Sequence, residues 1–258
     1  MGFYLHTKRF KVIFPIYIIV AFIFPALYVT KVYQPSDVYS YTSIALTELV
    51  SLTVLLVALL AGDAISQDFG RQGFFTLTQP IRRSEIMLAR ALAAFVFSAV
   101  AMMVWIGIGF ITSYAFYTAI ISNTALYVAL ALLFVASVVS FVVLFSSLFR
   151  NSTTSVVLSV FVVWFIMPII TEVLDLVGIE PWFLLTYAGE GLGDLTQASY
   201  PVHFTSTPIN TGTSGISMTL TSYTPYVWET ALIMVAYLVV SLALAWVIYS
   251  RKELTEAS

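Results

Sequence analysis

Six apolar runs alternate along the chain with short polar stretches, and each is long enough to cross a bilayer. A helix rising about 1.5 Å per residue needs about 20 apolar residues to cover the roughly 30 Å hydrocarbon core. Residues 10–29, 44–61, 91–111, 124–149, 152–171 and 227–249 meet that requirement. The run from 124 to 171 counts as two spans. As one helix it would be about 70 Å long, more than twice the membrane, and Arg150-Asn151 is the polar break where it turns back. The pattern predicts an all-α polytopic membrane protein, one transmembrane domain over residues 1–258.

The positive residues orient the spans. Lys8, Arg9 and Lys11 precede span one, and Arg71, Arg82, Arg83 and Arg90 lie between spans two and three. Arg150 marks the turn between spans four and five, and Arg251 and Lys252 follow span six. Ten of the 11 cationic residues thus fall on one face, with Lys31 alone opposite. The positive-inside bias places both termini in the cytoplasm of a cell membrane. Losing one span would scatter the later charges, so the even count and the orientation support each other.

Composition agrees with lipid as the main solvent: 60% hydrophobic, 9% charged, mean hydropathy +0.97. Cysteine is absent, which excludes disulfides, thiol catalysis and thiolate metal sites. His6 and His203 lie at opposite ends of the sequence and make a poor case for a metal. The first run follows basic residues as in a signal peptide, but it lacks a small-residue cleavage site and reads as a retained span.

The opposite face carries one long segment, 172–226, with acidic residues and no Lys or Arg. Within 181–200, Leu184, Ala188, Leu192 and Leu195 recur at helical spacing, while Gly189, Gly191 and Gly193 weaken a free-standing helix. The expectation is an interfacial or partly re-entrant extracellular helical hairpin, with Trp182, Tyr187 and Tyr200 at headgroup depth. Residues 205–225 are rich in Thr, Ser and Gly and read as an irregular exposed loop.

Catalytic signatures are scarce. There is no GxxxxGK[ST] phosphate loop, no HExxH and no Cys/His cluster, so no catalytic, metal or cofactor residue is assigned. Gly212-Thr213-Ser214-Gly215 matches a GxSG serine motif, but no histidine base follows it and it sits in a polar loop, where a flexible turn accounts for it. Glu48 and Glu229 stand near the expected outer ends of spans two and six. They are candidates for an outer gate or pathway, weighed against side chains that simply reach interfacial water. Ser137, Ser140 and Ser147 in span four and Gly107 and Gly109 in span three are small residues that let helices approach closely.

The remaining polar stretch is 63–90, on the positive side. Residues 63–75 have helical offsets at Ile65, Phe69 and Gln72/Gly73, shortened by Gly70 and stopped by Pro80. A solvated connector with charges at headgroup level would also fit. However, the run from Gly73 through Pro80-Ile81-Arg82-Arg83-Ser84-Glu85-Ile86, followed by Ala89-Arg90, resembles the first cytoplasmic loop of ABC-2-type transporter permeases. One departure is Arg71-Gln72 where many members carry an acid before the glycine; here the acid is Asp68.

That resemblance implies the membrane-spanning permease subunit of an ATP-binding-cassette exporter. It would form a homodimer or a heterodimer with a related permease, embedded in membrane lipid, with no nucleic-acid partner. ATP and Mg would be bound by separately encoded ABC ATPase subunits, so the chain would not itself be an enzyme. Asp68, Phe69, Gly70, Arg71, Gln72, Gly73 and Phe75 would form the coupling helix against the ATPase, with Pro80, Arg82, Arg83 and Glu85 as the hinge into span three. Ser152, Ser155 and Ser159 of span five would line a dimer cavity.

Two other classes compete. A membrane enzyme acting on a lipid or peptide through Glu48 or Glu229 lacks a paired base. An ion-coupled secondary transporter needs mid-membrane charges or broken helices in both halves. Pro15, Pro25 and Pro168 interrupt spans one and five, but no charge is expected at mid-membrane.

Overall fold

A computed structural model describes residues 8–62, 64–66, 83–210 and 217–251. Among the described residues, six helices are long and apolar enough to cross a membrane, matching the six runs in order. Most of the described chain is helical, and one two-stranded sheet is added to it.

Span one is two helices, Lys8–Ala21 and Ile23–Val29. The break has a cause: Pro25 has no N–H to give Ala21, and its ring crowds that carbonyl. Span two, Val38–Ala61, and span three, Arg83–Tyr117, both run past the apolar limits expected for them. Their polar outer turns persist because they satisfy each other. Tyr41 donates to Thr112 Oγ1 (2.9 Å), Thr42 and Ser113 share a hydrogen bond (2.9 Å), and Tyr117 donates to the Pro35 carbonyl (2.6 Å). Span three, at 35 residues, is about 52 Å long and exceeds the hydrocarbon thickness.

Span four, Thr124–Leu148, is the axis of the bundle and packs against spans two, three, five and six. Ser137 explains one of these contacts. Its hydroxyl reaches the Leu133 carbonyl of its own helix (2.8 Å) and the Met234 carbonyl of span six (2.7 Å). Gly109 admits Leu46 of span two, whereas Gly107 has open space beside it. The turn at Arg150-Asn151 forms as expected, and the Asn151 side chain accepts the Thr153 N–H to cap span five (3.0 Å).

Span five is continuous over Ser152–Val177, but it widens to a π-helical turn at Val162–Ile166. Pro168 stands just beyond, so the carbonyl of Trp164 lacks its usual donor, and the wider turn absorbs the mismatch. Ser155 and Ser159 are fully buried inside the protomer. Gly178, at φ +75°, ends the span in the left-handed conformation.

Candidate functional site

After Gly178 the chain turns back into the bundle. The helix Leu185–Asp194 is re-entrant: Gly189 lies against Val50 of span two and Phe134 of span four, both well inside their helices. A Cβ on Gly189 would stand 2.9 Å from Val50 Cγ1, and one on Gly191 would stand 2.4 Å from Thr230 Oγ1. These glycines weaken the helix in isolation, yet here they allow its close approach to its neighbours. Leu185, Tyr187, Ala188 and Leu192 are completely buried. Tyr187 is enclosed by protein and donates to Glu180 (2.8 Å). Trp182 is exposed, while Tyr200 is half-buried and bonds the Pro225 carbonyl.

Where an irregular loop is expected over 205–225, the described residues are largely β-structure. Strands β1, Phe204–Asn210, and β2, Ser217–Tyr223, pair antiparallel with Phe204 opposite Tyr223. The Thr-rich composition that reads as a loop also suits β-structure, because branched side chains pack well on a pleated surface. The hairpin docks on the end of span five. Thr221 bonds the Asp175 carbonyl, and Tyr223 donates to the Gly178 carbonyl (2.8 Å).

Between spans two and five, under this assembly, lies a cleft. Its inner part, about 360 Å³, is lined by Glu48, Ser51, Phe134, Val163, Trp164 and Leu185 among others. It continues through Val50, Ser51, Pro168 and Thr186 into a groove of about 500 Å³ bordered by Glu190 and Asp194 and by the hairpin at Tyr223. Glu48 lines this cleft from span two. The helix begins at Val38, so Glu48 stands 10 residues in (48 − 38), about 15 Å from the helix start, near the middle of the 24-residue span. It faces the cleft. The Trp164 indole spans the inner part by donating to the Ser51 carbonyl (3.1 Å).

The groove is acidic. Removal from water, reinforced by Asp175, Asp194 and Glu172, pushes the Glu190 carboxyl up to about 7. Burial pushes Asp194 up to about 6. The Glu190 residue is exposed by area, but it opens onto the groove, where the surrounding protein withholds much of the bulk water a carboxylate needs.

Glu229 is not in the cleft. It sits in the first turn of span six, where its Oε2 accepts the Tyr226 N–H (2.9 Å), a capping contact. Near it the fold gathers Glu180 and His203, residues so far apart in sequence that no local metal motif marks them.

At the opposite end of the bundle the structure describes only the root of the 63–90 loop. Span two ends at Ala61, and Ala64–Ser66 form a tight turn. Ser146 of span four accepts the N–H groups of Ile65 (2.9 Å) and Ser66 (3.1 Å), and Arg90 of span three bonds the Ala64 carbonyl. Asp68, Phe69, Gly70, Arg71, Gln72, Gly73, Phe75, Pro80 and Arg82 lie outside the described residues, as do His6 and the Gly212–Gly215 motif. Arg83 opens the span-three helix, and Glu85 stands in its first turn, exposed.

No curated protein matches the chain. The family model for ABC-2 family transporter protein matches residues 74–254, from the 63–90 loop through span six, well over half of the chain. With six crossing helices in the expected order, this is a multi-pass plasma-membrane protein whose family works with ABC ATPase subunits. The chain belongs to the ABC-2 transporter family and is a membrane permease of an ABC transporter.

Proposed function

We propose that the chain is the permease half of an exporter, dimeric in the membrane, with both termini and the 63–90 loop in the cytosol. Two separately encoded ATPase subunits, which bind ATP and Mg, seat on that loop. Asp68 to Gly73 and Phe75 carry the contact, and Pro80, Arg82, Arg83 and Glu85 lead the motion into span three. Cargo leaves through the cleft between spans two and five, past Glu48 and the Glu190–Asp194 groove.

The observation that carries this reading is the root of the loop. The turn Ala64–Ser66 is bonded to span three through Arg90 and to span four through Ser146. Spans three and four pack on each other and on span two, so a push on the loop reaches three helices at once.

The test is reconstitution with the cognate ATPase. Phe69→Ala or Arg71→Glu should leave both subunits folded but lower transport at least tenfold relative to ATP hydrolysis. Unchanged coupling in both variants would overturn the lever. Labelling of a cysteine placed at Thr78 or Gln79 from outside intact cells would overturn the orientation.

A further inference from the structure

At the junction of the hairpin, the link after span five and the start of span six, three potential ligands meet: Glu180, His203 and Glu229. One oxygen or nitrogen from each lies within 4.8 Å of the others. What each donor atom is already doing shows what the cluster fits.

The imidazole of His203 is fixed twice. Its ring stacks on Tyr226 at 4.3 Å and 14°, and its Nδ1 lies 2.7 Å from the Thr224 carbonyl. A carbonyl only accepts, so Nδ1 carries the hydrogen, and in the neutral tautomer this leaves, the ring presents a lone pair at Nε2. That lone pair faces Glu180 Oε2 at 3.6 Å. Two lone pairs facing each other repel unless a proton or a cation lies between them. A charge-assisted N–H···O bond would close to about 2.7–2.9 Å. Ligands around a tetrahedral zinc-class ion, at bond lengths near 2.0–2.1 Å, are about 3.3 Å apart, much nearer the observed gap.

The carboxylates show the same division of labour. Glu180 has one oxygen held by the Tyr187 hydroxyl (2.8 Å), and Glu229 has one held by the Tyr226 N–H (2.9 Å), which leaves a second oxygen on each. Ligands oriented by an outer ring of hydrogen bonds, with histidine donating its other nitrogen to a carbonyl, are how proteins build metal sites. The segment from Thr171 to Tyr226 has no Lys or Arg to neutralise these carboxylates.

The geometry points to a zinc-class divalent cation bound by His203 Nε2, Glu180 and Glu229, with water completing the shell. The mixed nitrogen and oxygen set favours zinc over calcium or magnesium, which prefer oxygen alone. The ion staples three segments that meet there: the hairpin base, the link into the re-entrant helix, and span six. This inference is independent of the transport direction and of the ATPase partner.

The experiment titrates Zn²⁺, and Co²⁺ as its coloured surrogate, into the full chain in nanodiscs. Expected are one saturable site per chain, a Co²⁺ visible spectrum of low coordination number, and slower hydrogen exchange at strand β1 on loading. His203→Ala and Glu180→Gln should abolish binding, and Tyr187→Phe should weaken it about tenfold by loosening Glu180. Glu180→Gln keeps the size and the acceptor for Tyr187, and metal-free melting checks that it folds. Failure of the wild-type chain to bind, or equal binding by both ligand variants, would overturn the site. So would an imidazolium at His203, seen by ¹⁵N resonance and persisting in saturating Zn²⁺.

Discussion

Spans four and five are both predominantly apolar and nearly equal in length, yet 61% of the apolar window of span four is buried, against 22% in span five. In water such a difference is written as periodicity, because an exposed face must be polar. In lipid both faces are apolar, and the stripe disappears. What marks span four as the axis is its serines. Ser137, Ser140, Ser146 and Ser147 are all buried, and two of them bond other segments. Span five instead presents Phe161, Phe165, Ile169 and Val173 in one exposed row, four residues apart, available to lipid or to a second copy.

The sharpest test of the contrast makes the same truncation in both spans. Phe134→Ala, at 1% exposure, should cost about 3–5 kcal/mol of stability, read as a lowered melting temperature in detergent. Phe165→Ala, at 52% exposure, should stay within about 0.5 kcal/mol in the protomer. A large loss at Phe165 that accompanies dissociation of a dimer would show that the row is covered by a second copy.

Next in size is Ser146→Ala. It strands the N–H groups of Ile65 and Ser66, both buried residues, and should cost about 1–3 kcal/mol. Hydrogen exchange at those two amides should accelerate, whereas Ser140→Ala, which loses only a bond to its own helix at Ala136, should leave them unchanged.

The smallest effect is electrostatic. Glu190 ordinarily titrates near 4.5 and is pushed up to about 7 in the fold, so the folded chain holds this proton more tightly than the unfolded one. Its contribution to stability is full below about pH 4.5 and is lost as pH rises through about 7. Melting temperature should therefore fall across that window, and Glu190→Gln should flatten part of the slope. Asp194 and Asp175, both shifted upward by burial, add to the same slope.

Much of this molecule was legible in one dimension. The number and order of spans, the turn at Arg150-Asn151 and the break near Pro25 follow from length, apolarity and backbone chemistry. The re-entrant helix was half legible: leucine spacing revealed a helix and its glycines looked like flaws, because nothing local says that Val50 and Thr230 will press against them. The hairpin was missed, since its strands are polar and its pairing partners are the only signal. The helix that carries Glu48 starts six residues before the apolar run (44 − 38), because its first turns are polar and satisfied by span three.

What the sequence determined alone is what each residue owes to its solvent: which segments dissolve in lipid, which charges stay on one side, and where the backbone must break. Pairwise geometry belonged to the tertiary structure. Only folding brought Glu180, His203 and Glu229 together across 49 residues of chain (229 − 180), and only folding tied the root of the 63–90 loop to Arg90 and Ser146. The physical reason is that transfer free energy is a property of a segment, whereas a hydrogen bond, a ligand set or a close glycine contact is a property of two positions whose meeting depends on the whole fold.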